Sequence, residues 1–494
     1  MRRTLLFLFL SLAATRILAE KYETTYRSSP LAILPLTILS RSASYDPSNT
    51  TLFLACPAGL LVSQPGPAIY DSHGALVWAD PSLGADGRRY LTMWVGVGDP
   101  GAGQLTGNGI AFMLDEGYEV VKNVSAVNPD NTDAHEFHIV GSSALVTAYH
   151  AIPADLSSVG GPVDGWYLNS IFQEIDIASG NVLFNWTSFD HIAFSESYNN
   201  LTLTGEGTSE LPWDAVHINS IDKGTKYLIS SRNCKTLYKI DKNGTIAWRL
   251  GGKQSDFKAI GNDTEFHWQH HARWRADETQ ISLFDNAAAV IETTVQVNEP
   301  VASGKFFAVD QKAMTYSAVA RFLPSPYSSF SLAEGSVEPY GSTVVTGFGE
   351  NPWLVVRDSA SGSVLLSAIL GPNTTLPIYS ITNYRFFQMS TLEFAGHPTE
   401  PPSVAVDAAE GAVYVSWNGA THVAEWVLLT GASASAVGKE VARVRKSGFE
   451  TKIDLKGSDA FVKVAGIASN GTTLGTSAVY RMIDERWECC ELKR

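Results

Sequence analysis

A repeated hairpin signal constrains this chain more than any other feature. Asp71-Ser-His-Gly74-Ala-Leu-Val-Trp78 and Asp241-Lys-Asn-Gly244-Thr-Ile-Ala-Trp248 share the pattern D-x-x-G-x-x-x-W, each behind a short apolar run. Looser copies begin at Asp176 (with Gly180 and Trp186), Asp115 and Asp358 (with Gly362), and a degenerate one at Asp310. Asp accepts hydrogen bonds from the backbone of a tight turn and Gly supplies a positive φ, so each copy reads as strand, turn, strand. The six Asp markers lie 44, 61, 65, 69 and 48 residues apart, the spacing of β-propeller blades carrying loop insertions. Helical periodicity is nearly absent. The expected fold is therefore all-β, with a six-bladed β-propeller over residues 20–397; an irregular sandwich with repeated hairpins would leave a similar signal.

Beyond residue 397 the texture changes. HPTEPPSVAV reads as a proline-rich linker, and VYVSWNGATHVAEWVLL, FETKIDL and FVKVAGIASNGTTLGTS follow as a Trp-centred strand, alternating strands and a glycine hairpin. Residues 398–485 are expected to form a fibronectin-III-like β-sandwich, or else a displaced final blade, with 486–494 as a tail.

The N-terminus has signal-peptide layout: Met1-Arg2-Arg3, the apolar run TLLFLFLSLAA and a small residue at Ala19, so residues 1–19 are expected to be removed. No later stretch reaches the roughly 20 apolar residues of a membrane helix. Asn49, Asn123, Asn185, Asn200, Asn243, Asn262, Asn373 and Asn470 each begin an N-x-S/T triplet without proline. A secreted or secretory-pathway glycoprotein is the expectation. Cys56, Cys234, Cys489 and Cys490 are too widely spread for a zinc or redox motif, and a long-range disulfide from one of the adjacent pair to Cys56 or Cys234 is expected. A net charge of −14 with 17% charged residues excludes an electrostatic nucleic-acid or membrane-surface binder and leaves a small molecule as the expected partner. Oligomeric state is not legible.

Chemistry concentrates in three segments: TDAHEFHIV with His135 and His138, WDAVHINSI with His217, and FHWQHHARW with His267, His270 and His271. Strand alternation places His217 and Asn219 on one face, and sends His270 and His271 to opposite faces. Arg232, in LISSRN, begins a turn and offers a fixed cation to an oxyanion. Trp213, Trp268 and Trp274 read as core, and Asp285 and Asn286 as turn-closing residues.

DAHEF, WDAVHINSID, YLISSRN, the ID-x-N-G-x-I-x-W-x-LGG run through Gly252, QHHAR and LFDN occur in order between about residues 25 and 395 and resemble the fungal branch of the arylsulfotransferase-like family, whose bacterial members are six-bladed propellers. The resemblance implies sulfuryl transfer between phenols through a sulfated histidine. His270 would be the nucleophile; His217, Asn219 and Arg232 would hold the sulfuryl oxygens; His135 would handle the phenolic proton; and Gln269 would join Asn219 in substrate binding. No metal or organic cofactor is implied. The chain departs from the family pattern after the nucleophile, where His271 stands in place of an Asp.

Two other readings use the same residues, and a third does not. A secondary-metabolite tailoring enzyme could protonate a leaving hydroxyl and hold the resulting intermediate for hetero-Diels–Alder closure. Three imidazoles, His135, His217 and His270, could bind zinc or copper, against which Arg232 would place a cation beside the metal. A non-catalytic propeller module would need none of them.

Overall fold

The computed structural model describes residues 22–45, 51–79, 90–98, 107–129, 131–201, 205–291, 294–374, 380–455, 460–483 and 486–489. The leader 1–19, Asn49 and Cys490 lie outside the described residues, as does the side chain of Cys489. Among the described residues there is no α-helix, and none long and apolar enough to cross a membrane; the chain is a succession of antiparallel sheets.

All six Asp-marked segments are turns, each joining adjacent strands of a different sheet. In the first, Asp71 Oδ1 accepts from the backbone N–H of His73 at 2.8 Å and of Ala75 at 3.0 Å. Gly74 adopts φ +86°, and a Cβ there would fall 2.0 Å from the Leu36 carbonyl oxygen. Gly180, Gly244 and Gly362 take the same left-handed conformation after Asp176, Asp241 and Asp358. In the two weakest copies the left-handed position falls on Tyr118 (φ +64°) and Met314 (φ +53°), so the turn persists where its glycine signature is lost.

One edge strand of each of five sheets faces its neighbours: Phe137–Val140, Ile218–Lys223, His270–Arg275, Ser336–Tyr340 and Phe387–Ser390. No ladder joins these edges to one another, so side chains satisfy their polar groups. Ser220 Oγ accepts from Ala272 N–H at 2.9 Å, Asp222 Oδ2 from Trp274 N–H at 2.7 Å, and Ser336 Oγ from Phe386 N–H at 3.0 Å.

Glu136 is the hub of this centre. Its wholly buried carboxylate meets Arg273 Nη2 at 2.7 Å and Arg385 Nη1 at 2.8 Å and accepts from Ile221 N–H at 3.1 Å. Burial alone would raise the carboxyl, but the two guanidiniums outweigh it and bring it from 4.5 to about 2. The folded state thus binds fewer protons here than the unfolded chain between those values. The group's contribution is fully present above about pH 4.5 and is lost as pH falls toward 2. Acid titration followed by equilibrium unfolding should show a loss on the order of 3 kcal/mol in that window, absent in a Glu136→Gln chain.

The chain ends interleave. Leu36–Arg41 pairs with Val364–Leu370, and the late strand Phe387–Ser390 pairs with Thr51–Ala55. The C-terminal residues form two further sheets, one of Ser403–Asp407, Ala412–Ser416 and Glu450–Asp454, the other built on Val423–Gly431 and Phe461–Ala468. Trp426 centres their core with Val413, Val415, Ile453, Val462 and Val464. This region is joined to the rest by the Tyr118 hydroxyl donating to Gly419 O at 2.9 Å and by the Arg27–Asp407 and Arg27–Glu410 ion pairs at 2.5 and 2.9 Å.

Cys56 and Cys234 are both free thiols, so neither forms the expected long-range bridge. Cys234 is buried in a core cluster with Tyr238 and Trp213.

A three-histidine candidate active site

The three segments singled out for their histidines converge because each ends at, or just before, one of the facing edge strands. His135 lies two residues before Phe137–Val140, His217 immediately precedes Ile218–Lys223, and His270 opens His270–Arg275. Their rings meet at one end of the strand cluster: His135 and His217 lie edge to face with centroids 4.6 Å apart.

Each imidazole is oriented through Nδ1. His135 Nδ1 lies 2.5 Å from Asp133 Oδ2, an oxygen that also accepts from the His135 backbone N–H and from Thr147 Oγ1. Burial acts to raise Asp133, yet the His135 imidazole and these hydrogen bonds bring its carboxyl below the ordinary value. His217 Nδ1 lies 2.5 Å from Asp214 Oδ2. Burial pushes Asp214 up to about 7, and it drives His217 well below its ordinary value, with His135 and Arg232 acting in the same direction. His217 is therefore a neutral imidazole.

His270 is held differently. Its Nδ1 is 2.7 Å from Asn286 Oδ1, and the Asn286 amide nitrogen donates to Glu334 O at 2.9 Å. That second bond turns the amide oxygen toward His270, which places the ring proton on Nδ1 and the lone pair on Nε2. Nε2 accepts only a long 3.3 Å contact from Glu334 N–H. Burial first, then the Arg232 charge, holds His270 well below its ordinary pKa. The product is a neutral imidazole with a nucleophilic Nε2, oriented by an uncharged amide.

Arg232 begins the turn after Tyr227–Ser231, and its backbone N–H donates to His217 O at 2.9 Å. Its guanidinium is half-buried, donates to Asn233 Oδ1 and Leu332 O, and lies 5.4 Å from the Trp268 ring centre.

Two readings need correction. Asn219 and Gln269 were expected to touch substrate, but both are 0% exposed. Asn219 Nδ2 donates to Gln269 O, and Gln269 Nε2 donates to Ser230 Oγ and Ser231 O, so the pair locks neighbouring edge strands together. His217 and Asn219 do not share simple alternation either: His217 sits before the strand at φ +57°, and the register shifts between Ile218 and Ser220. His271 is buried on the far side, accepting from Val337 N–H at 3.3 Å and lying 3.9 Å from Glu338. His138 lies 3.5 Å from Asp222. His267 joins Asp285 and Glu299 in a group whose ligand atoms lie within 4.8 Å of one another, but two members already bind the Lys305 ammonium, at 2.8 and 2.9 Å.

Sequence reasoning missed four residues and misassigned a fifth. Asp133 and Asp214 were legible as Asp two and three positions before a histidine. Asn286 was assigned to turn closure and instead orients His270. Tyr384 puts its ring 5.8 Å from His135 and 6.3 Å from His270, with its hydroxyl buried. Glu334 adopts φ +64° beside His270, and burial together with Glu350 pushes its carboxyl up to about 8. Both stand shortly before an edge strand, as the histidines do, and that shared position was the available signal.

Residues 85–371 match the family model described as arylsulfotransferase (ASST). No curated protein matches the chain. Solved structures similar to it include a protein of unknown function from Bacteroides caccae, 13% identical with a TM-score of 0.38, covering 69% of this chain and 99% of that one. A periplasmic gluconolactonase of Pseudomonas aeruginosa is 13% identical with a TM-score of 0.36, covering 82% and 100%. The WD40 domain of Toxoplasma gondii coronin is 7% identical with a TM-score of 0.30, covering 72% and 79%.

Proposed function

Because the chain belongs to the arylsulfotransferase (ASST) family, we propose that it transfers a sulfuryl group between phenolic small molecules through His270. The observation that carries this reading is the His270–Asn286–Glu334 relay, which leaves Nε2 as the unprotonated nitrogen. Nε2 attacks the sulfur of an aryl sulfate, an N–S bond forms, and the S–O bond to the aryl oxygen breaks. The phenolate leaves with its electron pair and takes a proton from His135. An acceptor phenol then returns its proton to His135 as its oxygen attacks sulfur, which regenerates His270. Arg232 and His217 face the charge that develops on the sulfuryl oxygens. An uncharged amide behind His270 suits a group that must accept and then release sulfur, because a carboxylate there would hold the imidazolium too firmly.

We read the sheets that carry the Asp-marked turns as six propeller blades of a domain spanning 20–397, and the C-terminal pair of sheets as a fibronectin-III-like sandwich over 398–485. We also read the motifs as those of the fungal branch of the family. We further infer a secreted glycoprotein; in support, Asn123, Asn185, Asn200, Asn243, Asn262, Asn373 and Asn470 are all exposed.

A second reading draws on Glu334, a buried carboxyl that stays protonated near neutrality beside His270. Such an acid could protonate a leaving hydroxyl and let the pocket direct a hetero-Diels–Alder cyclisation.

One experiment separates the two. Incubation with 4-nitrophenyl sulfate without acceptor, acid-free quenching and peptide mass spectrometry should find a sulfuryl adduct on the peptide containing His270, and phenol should discharge it. Turnover of a hydroxylated aromatic without any sulfate donor, with no adduct formed, would replace the first reading by the second.

A further inference from the structure

His270 stands in this structure with its nucleophilic nitrogen covered. A neutral imidazole carries one lone pair on Nε2, in the plane of the ring, and an attacked sulfur has to arrive along it at roughly 3–3.5 Å. The Glu334 backbone N–H already points there, 3.3 Å from Nε2. All three imidazoles are nearly closed off from solvent, at 4% exposed for His135, 7% for His217 and 2% for His270.

The covering segment is pinned to backbone at its ends and held by side chains in its middle. Ser331 N–H donates to Asn286 O at 3.0 Å, Ser331 Oγ to Phe348 O at 3.0 Å, and Gly335 N–H to Tyr384 O at 2.9 Å. Between these anchors, Leu332 N–H donates to the Glu350 carboxylate, Leu332 O accepts from Arg232 Nη2 at 3.1 Å, and Glu334 N–H rests on His270. Residues 332–334 lie outside every strand. Glu334 is left-handed at φ +64°, which costs a residue with a side chain on the order of 1 kcal/mol. Turning the Ala333–Glu334 peptide away from Nε2 can release that strain while the Glu334 carbonyl stays on Asn286 Nδ2, so two arrangements are close in energy.

The Glu334 side chain ties this choice to pH. Its Oε2 is buried without a hydrogen-bond partner, and burial, then the Glu350 charge, push the carboxyl up to about 8. In the closed arrangement the neutral acid is tolerated and an unpaired carboxylate is not. Lifted into water, the group returns to its ordinary 4.5, so between those values the closed form holds one proton more. Its contribution to closure is fully present below about pH 4.5, falls about tenfold per pH unit above that, and is lost as pH rises through about 8. Besides Glu350, the groups around this carboxyl keep their charge between pH 6 and 8. Burial, with Glu334 adding to it, pushes Cys56 up to about 11; burial also raises Tyr384 and holds His270 well below its ordinary value; Arg232 and Arg385 stay cations.

We propose that Leu332–Glu334 is a gate over His270, closed in this structure, latched by the protonated Glu334 side chain and lifted when that side chain ionises. Its purpose rests on the reading of His270 as the reacting group: substrate reaches Nε2 in the lifted state.

Carbethoxylation of the full chain by diethyl pyrocarbonate, followed by peptide mass spectrometry, tests this. Fragment spectra separate His270 from His267 and His271, and rates are taken per unprotonated imidazole against N-acetylhistidine in the same solution. His270 should react at least tenfold faster at pH 8 than at pH 6. Glu334→Gln, neutral at both values, should keep the pH 6 rate at pH 8, which also separates the gate from Asp214, whose carboxyl titrates at about 7 beside His217. Glu350→Ala frees Leu332 N–H and should raise the pH 6 rate at least fivefold; it serves if Glu334→Gln does not fold. A wild-type rate independent of pH, a rise that survives in Glu334→Gln, or an unchanged rate in Glu350→Ala overturns the gate. Labelling is read without turnover, so a chain that gates His270 but forms no sulfuryl adduct would overturn the proposed reaction and leave the gate standing.

Discussion

Replacing His270 by Ala is expected to lower kcat/KM for sulfuryl transfer from 4-nitrophenyl sulfate to phenol by on the order of 10⁴, because the covalent step loses its nucleophile and only binding and charge stabilisation remain. The fold should survive, since the ring's polar contacts are confined to Asn286 and one long backbone contact. Asn286→Ala should sit between the variant and the wild type, about 10²-fold down, because the ring keeps its nitrogen but loses the bond that fixes its tautomer. The order of the two effects is the informative part. If Asn286→Ala were as damaging as His270→Ala, Asn286 would be acting on substrate directly. If His270→Ala kept more than a tenth of the activity, sulfur would be passing directly between phenols and the two-step route would be wrong.

The second large effect is on stability. Glu136→Ala removes the one carboxylate shared by Arg273 and Arg385 and leaves two buried guanidiniums facing each other. Breaking a buried pair by deleting one partner typically costs about 3–5 kcal/mol, and this site loses two ion pairs and the acceptor for Ile221 N–H. Urea unfolding at pH 7 should show a loss of that size. The site should suffer as well, because Arg385 also donates to His135 O and Asn219 O at 2.9 and 3.0 Å and so ties the first two histidine segments together. A change below about 1 kcal/mol would mean that water solvates the two cations, and that the edge strands are held by packing alone.

Much of the fold was legible because it is local. An Asp carboxylate capping its own turn and a glycine at positive φ are decided within four or five residues, so even the copies at Asp115 and Asp310 could be located. In those two copies the left-handed position is held by Tyr118 and Met314 rather than by a glycine. The histidine segments were legible for the same kind of reason, each being a short run of sequence, although the partners Asp133 and Asp214, two and three residues away, were not singled out.

Most of the failures at the site lay at contacts between sheets. Strand alternation cannot foresee that Asn219 and Gln269 will be needed to bond two ladderless strand edges, nor that the register slips after His217. Asn286 lies 16 residues from His270 and 48 from Glu334, and its role exists only where the three meet. The sequence by itself determined the hairpins and the histidine segments, because those depend on neighbours along the chain. Only the tertiary structure decided which ring nitrogen of His270 is free and that Glu334 and Tyr384 border the same site. Each of these depends on how edges of different sheets meet, and the buried polar groups at such edges take whichever partner the packing brings within hydrogen-bond distance.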